Sequence, residues 1–237
     1  MSDPWFEVHL GASVLALQTT CEQTPLPYGS FNLGLHVGDD EIAVVDNRQH
    51  LTTRFGSEVY FPEQVHGSKV VRVTQESEIV MADAVVTDVL NLPIGVLTAD
   101  CLPVLFASDQ LVGVAHAGWR GLASGVLENT LDQFANQGRV RAWLGPCIGL
   151  EAFEVGPEVL AAFLSKNPGW TEYFKYLDHS DRVFADLSRI ASNILENRGV
   201  DIIERLDTCT YNDQSRWYSF RRSRVTGRMA SCIMRTG

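Results

Sequence analysis

Apolar positions along the chain repeat with changing periods, and each change predicts an element. FEVHLGASVLALQTT alternates and then runs apolar, as an early strand or pair of strands does. Asp39 and Asp40 can cap a helix through EIAVVDNRQHLTTRF, with Ile42, Val45 and Gln49 or Phe55 on its faces. EVYF and KVVRV read as short strands on either side of PEQVHGS. LTADCLPVLFASDQLVGVAHAGWRGL, residues 97–122, reads as two buried strands followed by a small-residue turn.

In GLASGVLENTLDQFANQG, Leu122, Val126, Leu127, Leu131 and Phe134 fall at helical spacing, with Gly138 as the stop. VRAWLG returns as a strand, and PEVLAAFLSK and DLSRIASNILENRGV are two further helices, the second ending near Gly199. DIIERL, WYSF and RMASCIMR supply the last strands. Strands outnumber helices, and short turns between some of them imply antiparallel pairs. The pattern predicts an α/β (α+β) fold with mixed sheets covered by helices, in one domain over residues 1–237, rather than a doubly wound parallel sheet.

Charge narrows the partners. Lys and Arg total 19 against 29 Asp and Glu, a net charge of −10, which argues against a nucleic-acid or anionic-membrane surface. No apolar run reaches the roughly 20 residues a bilayer span needs, and the start, MSDPWFEVHLG, lacks the pattern of a signal peptide. Five irregularly spaced cysteines do not form a disulfide framework, so a reducing cytoplasm is the expected location.

Three side chains change the picture from packing to chemistry. His66 in QVHGS, Cys101 in TADCLP and His116 in AHAGWRG each stand where a strand-like run meets a turn. Imidazole and thiolate together suit Zn²⁺, and three protein ligands leave one tetrahedral position open, as in catalytic sites. Spacing alone equally suits other readings. A cysteine often fills a core gap, and a thiol beside a histidine can be the nucleophile of a Cys/His hydrolase. Cys21, Cys209 and Cys232 read as structural, and Cys147 in LGPCIG reads as packing at a turn near the same pocket. Of the other histidines, His36 beside NLGLHVGDD is the one with a suggestive setting.

Arginine is the second signal. SFRRSRVTGR gathers Arg221, Arg222, Arg224 and Arg228, and Arg48 lies on the first predicted helix. A guanidinium fork can hold phosphate or carboxylate, although charge on an edge strand or in a surface ion pair explains most such arginines. The glycine-rich GSFNLGLHVG matches neither a Walker loop nor a dinucleotide fingerprint.

YGSFNLGLHVGDD, EQVHG, ADAVVTD, TADCLPVLF, AHAGWRGL, LGPCIG, FEVG, CTY and SFRRSRVTGRMAS follow one another in this order. From about residue 10 to the C-terminus the chain thereby resembles the YfiH/laccase-domain proteins, also called multicopper polyphenol oxidase-like or purine nucleoside phosphorylase-like proteins. The resemblance implies a layered α/β sandwich with a zinc site on His66, Cys101 and His116 and an active-site arginine at Arg48. Asn32, Arg48 and Arg222 are then the expected substrate-binding residues. The chain departs from the family at TTCEQTPLPYGS, where many members carry an arginine and a GGVS turn, and at RRSR.

Two activities go with the resemblance, polyphenol oxidation and purine nucleoside chemistry. A multicopper site needs more imidazoles than six histidines without His-x-His pairs provide, so zinc is expected before copper. The expected reactions are phosphorolysis of adenosine, inosine or methylthioadenosine, with phosphate attacking the ribose C1′, and deamination of adenosine at C6. The alternatives are a hydrolase that edits misincorporated amino acids in peptidoglycan precursors and a non-enzymatic metal-binding protein. The expected partners are a small nucleoside and phosphate, with no nucleic acid and no membrane.

Overall fold

The computed structural model describes residues 3–21, 27–177 and 180–237. The first strands are β1 (Trp5–Glu7) and β2 (Val14–Thr19), followed by helix α1 (Glu41–Phe55). Next come β3 (Val70–Arg72), β4 (Ala84–Thr87), β5 (Ile94–Thr98), β6 (Leu102–Ala107) and β7 (Val112–Ala117). Helices α2 (Trp119–Ala123) and α3 (Val126–Asp132) lead to β8 (Arg141–Leu144), β9 (Glu154–Val155) and α4 (Pro157–Leu164). After a short 3-10 helix, Pro168–Tyr173, the chain forms β10 (Phe174–Tyr176), β11 (Val183–Ala185) and α5 (Leu187–Asn197). It closes with β12 (Asp201–Arg205) and β13 (Met229–Arg235). No helix among the described residues is long and apolar enough to cross a membrane.

The strands make two principal sheets, in the orders β1-β2-β13-β5 and β12-β8-β6-β7-β4-β3, and a small sheet β10-β11-β9. The first is antiparallel throughout, whereas the second is mixed, with parallel pairs β12–β8 and β3–β4 at its two edges. Side chains alternate along each strand, and this sorts the core into layers. Ala16, Ile94, Val96 and Ile233 of the first sheet meet Val85, Leu105, Val114 and Trp143 of the second. On the second sheet's other face, Val104, Phe106 and Ala115 pack against Leu122, Val126, Leu127, Phe163, Ile190 and Ile194 of the helices. On the first sheet's outer face, Leu17, Leu97 and Cys232 meet Leu51 and Phe55 of α1. The result is a layered sandwich of mixed sheets covered by helices, as the pattern of elements predicts.

Several local expectations are corrected. Asp40 does cap α1, accepting from the Ala43 amide at 3.0 Å; Phe55 is buried, but Ile42 and Val45 are exposed, and Val44 and Leu51 complete the buried face. The expected single helix after residue 120 is two, because Gly125 takes a left-handed φ of 92° between α2 and α3. The break leaves its apolar positions aligned, and Leu122, Val126, Leu127, Leu131 and Phe134 are all buried. WYSF is not a strand: Trp217 and Tyr218 are buried in irregular chain beside Cys21 and Met229. EVYF contributes only an isolated bridge at Tyr60 to Ile94.

Candidate metal centre

Strands β6 and β7 are antiparallel neighbours, pairing Leu102 with Ala117 and Pro103 with His116. Cys101, one residue before β6, therefore comes beside His116 at the open end of a hairpin. Both share the alternation parity of Leu105 and Val114, so they lie on the side that faces the first sheet. The third donor comes from the segment between α1 and β3, where His66 adopts a left-handed φ of 60°. The donor atoms of His66, Cys101 and His116 lie within 4.8 Å of one another, and the two imidazoles meet edge to face with centroids 4.8 Å apart. His116 is buried, Cys101 half-buried and His66 exposed, so the cluster opens to solvent on the His66 side.

One buried carboxylate organises both histidines. Asp83 Oδ1 accepts from the His66 amide at 2.8 Å and from His116 Nδ1 at 2.8 Å, while Oδ2 accepts from the amides of Gly67 at 2.6 Å and Val65 at 3.2 Å. The Asp83 carbonyl also accepts the His116 amide at 2.7 Å. With Nδ1 engaged, His116 is left with Nε2 as its free donor atom, the usual division in histidine ligands. Gln64 fixes the same loop from its other side, exchanging side-chain bonds of 2.7 and 2.8 Å with the backbone of Leu97.

Small residues make the convergence possible. A Cβ on Gly118 would stand 3.0 Å from Cys101 Sγ and 3.3 Å from His66 Cδ2, and one on Gly121 would stand 2.6 Å from the Gly67 carbonyl oxygen. The glycines of GWRG thus make room for the ligands and their loop.

The electrostatics favour a thiolate. Burial opposes ionisation of Cys101, but the charge of His116 and hydrogen bonds from His116 and His66 outweigh it and bring the thiol to about 6. Burial likewise opposes charge on His116, and the Cys101 thiolate and the Asp83 carboxylate raise it to about 9. Asp83 is held below the ordinary carboxylate range, burial being outweighed by His116 and by the Gly67 and Val65 amides. A thiolate between two imidazoles is a donor set matched to a borderline ion such as zinc, whose bonds to N and S run about 2.0–2.3 Å. The residues fit a metal ion, and theirs is the one such group of donors among the described residues.

The other candidate residues lie on neighbouring segments. Arg48, half-buried on α1, donates Nε to the Leu33 carbonyl at 2.9 Å and sits 5.0 Å above the Phe61 ring. Asn32 is engaged in folding its own loop: Nδ2 donates to Asp39 at 2.9 Å, and Oδ1 accepts from the amides of Gly34 and Arg228. Arg222 gives its fork to the carbonyls of Thr210, Tyr211 and Trp217, at 2.6 to 2.9 Å, and so fastens the C-terminal turn. Cys147 is a free thiol buried in the core, its backbone paired with that of Cys209 in an isolated parallel β-bridge, and burial pushes its thiol up.

Sequence reasoning assigned no role to Asp83 or Asp100. Asp100, at a left-handed φ of 97°, accepts from Thr210 Oγ1 and the Arg221 amide, both at 2.6 Å, and so ties the C-terminal turn to the residue preceding Cys101. Their signal is an aspartate within two residues of a fully buried strand in ADAVVT and TADCLPVLF, where a charge must be compensated.

Comparison with known proteins gives the family and the fold. The family model described as multi-copper polyphenol oxidoreductase laccase matches residues 17–236. Purine nucleoside phosphorylase YfiH of Escherichia coli (strain K12) is 44% identical over 213 residues, covering 87% of each chain. Purine nucleoside phosphorylase PA4543 of Pseudomonas aeruginosa is 43% identical over 210 residues, covering 87% of this chain and 86% of its own. Among solved structures, Neisseria meningitidis protein NMB0706 superposes with a TM-score of 0.91 at 37% identity, covering 99% of this chain and all of that one. YlmD from Geobacillus stearothermophilus gives 0.88 at 28% identity, covering 100% of this chain and 98% of that one. With its hairpin-borne His/Cys/His cluster and a match over nearly its whole length, the chain belongs to the multi-copper polyphenol oxidoreductase laccase family that includes the YfiH proteins.

Proposed function

We propose that the protein is a zinc-dependent purine nucleoside phosphorylase that also deaminates adenosine. The observation that carries the reading is the single cluster of His66, Cys101 and His116 among the described residues, with basic side chains on the adjoining segments. Relatives 43–44% identical over most of their length bear the name purine nucleoside phosphorylase, which supports the substrate class. A single compact donor group suits one ion, and a multicopper oxidase needs further histidine groups.

Zinc, when bound, supplies Lewis-acid polarisation of a substrate oxygen. The protein's own groups do the rest. Asp83 fixes the orientation of His116 and the loop of His66, so the ligand geometry is set before substrate arrives. Exposed apolar side chains, Val65 beside His66 and Phe220 near Arg228, offer contact for a planar base. In phosphorolysis a phosphate oxygen bonds to C1′ of the ribose and the C1′–N9 bond breaks. Its electron pair leaves with the purine, which takes up a proton, and ribose 1-phosphate is released. Arg48 serves to neutralise the attacking phosphate, because a dianion approaching a sugar needs compensating charge. Asn32 holds the loop that Arg48 touches, and Arg222 holds the C-terminal turn that Asp100, the residue before Cys101, also ties down.

A second reading has one observation in its favour. Cys101, His116 and Asp83 follow one another as thiol, imidazole and carboxylate, the order of a cysteine hydrolase acting on an amide such as a peptidoglycan precursor. His66 on the same sulfur favours metal over nucleophile, since one base suffices to activate a thiol.

The test is metal analysis of the purified protein together with product analysis on adenosine, with and without phosphate. The expected result is close to one zinc per chain, adenine plus ribose 1-phosphate with phosphate, and inosine without it. Metal-free protein that turns over adenosine or a muropeptide precursor at the untreated rate would overturn the zinc reading.

A further inference from the structure

The segment from Asn32 to His36 is clamped by two arginines that make no ion pair with an acidic side chain among the described residues. On one side Arg48 reaches from α1 and binds the Leu33 carbonyl through Nε at 2.9 Å. On the other, Arg228 begins the approach to β13. Its amide donates to Asn32 Oδ1 at 2.8 Å, and its carbonyl accepts from the Leu33 amide at 3.2 Å. Its side chain lies across Gly34, where a Cβ would stand 2.8 Å from Arg228 Cγ. Neither guanidinium makes an ion pair among the described residues, and Nη1 and Nη2 of Arg48 and Nε and Nη2 of Arg228 make no hydrogen bond there.

His36 completes the group. Its imidazole is held below the usual range by partial burial and then by the charges of Arg228 and Arg48, so both arginines bear on it. Burial lowers both arginines, and the charges that offset this are Glu58 for Arg48 and the Cys101 thiolate and Asp100 for Arg228. Asp100 is already committed to Thr210 and the Arg221 amide. Two half-buried cations turned towards one segment without a paired carboxylate are unfavourable unless an anion joins them. Arg228 directly precedes Met229, which pairs with Thr98 of β5, three residues before Cys101, so the group lies beside the donor cluster.

We propose that Arg48, Arg228 and His36 form a pocket for inorganic phosphate next to the His66–Cys101–His116 cluster, with Arg228 and His36 as its phosphate-binding residues beyond Arg48. The proposal rests on the phosphorolysis reading above. Guanidinium forks suit a tetrahedral oxyanion, which accepts several donors at once from different directions. The phosphate of a nucleotide has the same chemistry, and the pocket's place beside the cluster favours the free ion as co-substrate to a nucleoside.

The experiment is calorimetric titration of the metal-loaded protein with inorganic phosphate and, separately, with adenosine 5′-phosphate and inosine. Arg228→Gln is expected to weaken phosphate binding by roughly tenfold or more, the worth of a charge-assisted bond pair. Arg228→Lys restores part of the loss, His36→Asn weakens phosphate less, and the surface variant Arg189→Gln leaves it unchanged. Inosine affinity without phosphate stays at the wild-type value in all of them. His36→Asn keeps the test decisive if Arg228 variants fail to fold, because no hydrogen bond of the His36 ring holds the described structure together. Unchanged phosphate affinity in both Arg228→Gln and His36→Asn overturns the pocket, as does tight binding of adenosine 5′-phosphate with none of inorganic phosphate. If phosphate binding falls in the variants while wild-type protein cleaves no nucleoside, the pocket stands and the phosphorolysis reading fails. If phosphate-dependent cleavage persists with an unaltered KM for phosphate, the reading stands and the pocket fails.

Discussion

Asp83 grips His116 twice, by a carbonyl that accepts the His116 amide at 2.7 Å and a carboxylate oxygen 2.8 Å from Nδ1. The same carboxylate accepts the amide of His66, so two ligands on separate segments share one buried anchor. Asp83→Asn removes the charge and offers Nδ1 a poorer acceptor. Metal affinity should fall by about 10–100-fold, as for other partners of histidine ligands. Competition with a chromophoric chelator measures this, and wild-type affinity in the variant would show that the anchor is dispensable.

Cys101→Ser and His116→Ala should each leave the purified protein with little of its zinc. Two remaining donors rarely hold an ion in a fixed open geometry. Elemental analysis at matched protein concentration is the readout, and full retention in both variants would exclude these side chains from the centre.

The thiol itself reports on occupancy. A metal-bound Cys101 should react slowly with iodoacetamide, and chelation should make the reaction fast. In stripped protein the rate should rise with pH about a midpoint near 6, where His116 and His66 hold the thiol, and not near 9. A cysteine hydrolase predicts the reverse, with fast alkylation before chelation and full turnover after it.

Arg48→Ala should damage phosphorolysis more than phosphate-independent deamination. Arg48→Lys should recover only part, because an ammonium lacks the fork. Equal losses in the two reactions would assign Arg48 to the fold, through its bond to Leu33 and its contact with Phe61.

Alkali should find a different weakness. Cys21 is buried, and desolvation raises its thiol from 9.0 to about 12. A raised pKa in the folded state leaves stability intact below the unfolded value and removes it as pH climbs from there towards the folded one. Between pH 9 and 10.5 the unfolded thiol ionises and the folded one does not, which costs about 1.4 kcal/mol per pH unit for such a group. Urea midpoints of Cys21→Ala across that range should fall less steeply than those of wild type, and parallel curves would refute the assignment.

The legibility of the sequence varied with the range of the forces involved. The continuous apolar runs of β6 and β7 read as buried strands and are so, and of the two aspartates that could cap the first helix Asp40 does. Cys101 and His116 were conspicuous because they interrupt those runs. Asp83 passed without a role, although it sits in a quoted stretch, because its importance comes from partners 16 to 33 residues away. WYSF misled because aromatic enrichment marks burial as much as extension: Trp217 spends its indole N–H on Thr208, and the segment packs as irregular chain. The small sheet of β9, β10 and β11 has strands of two or three residues, too short for any alternation to be read.

The hairpin of β6 and β7 has a consequence for which ion the protein carries. Its ladder continues to the Pro103–His116 pair, so the spacing of two donors is maintained by backbone hydrogen bonds and not by the ion. An ion held there would leave without undoing a strand, and its open side is that of the exposed His66 imidazole. Replacement then needs no refolding, and a site of this kind ranks divalent ions by their affinity for nitrogen and sulfur. Copper outranks zinc on that scale, and the β6–β7 ladder would present the same two donors at the same spacing to either ion.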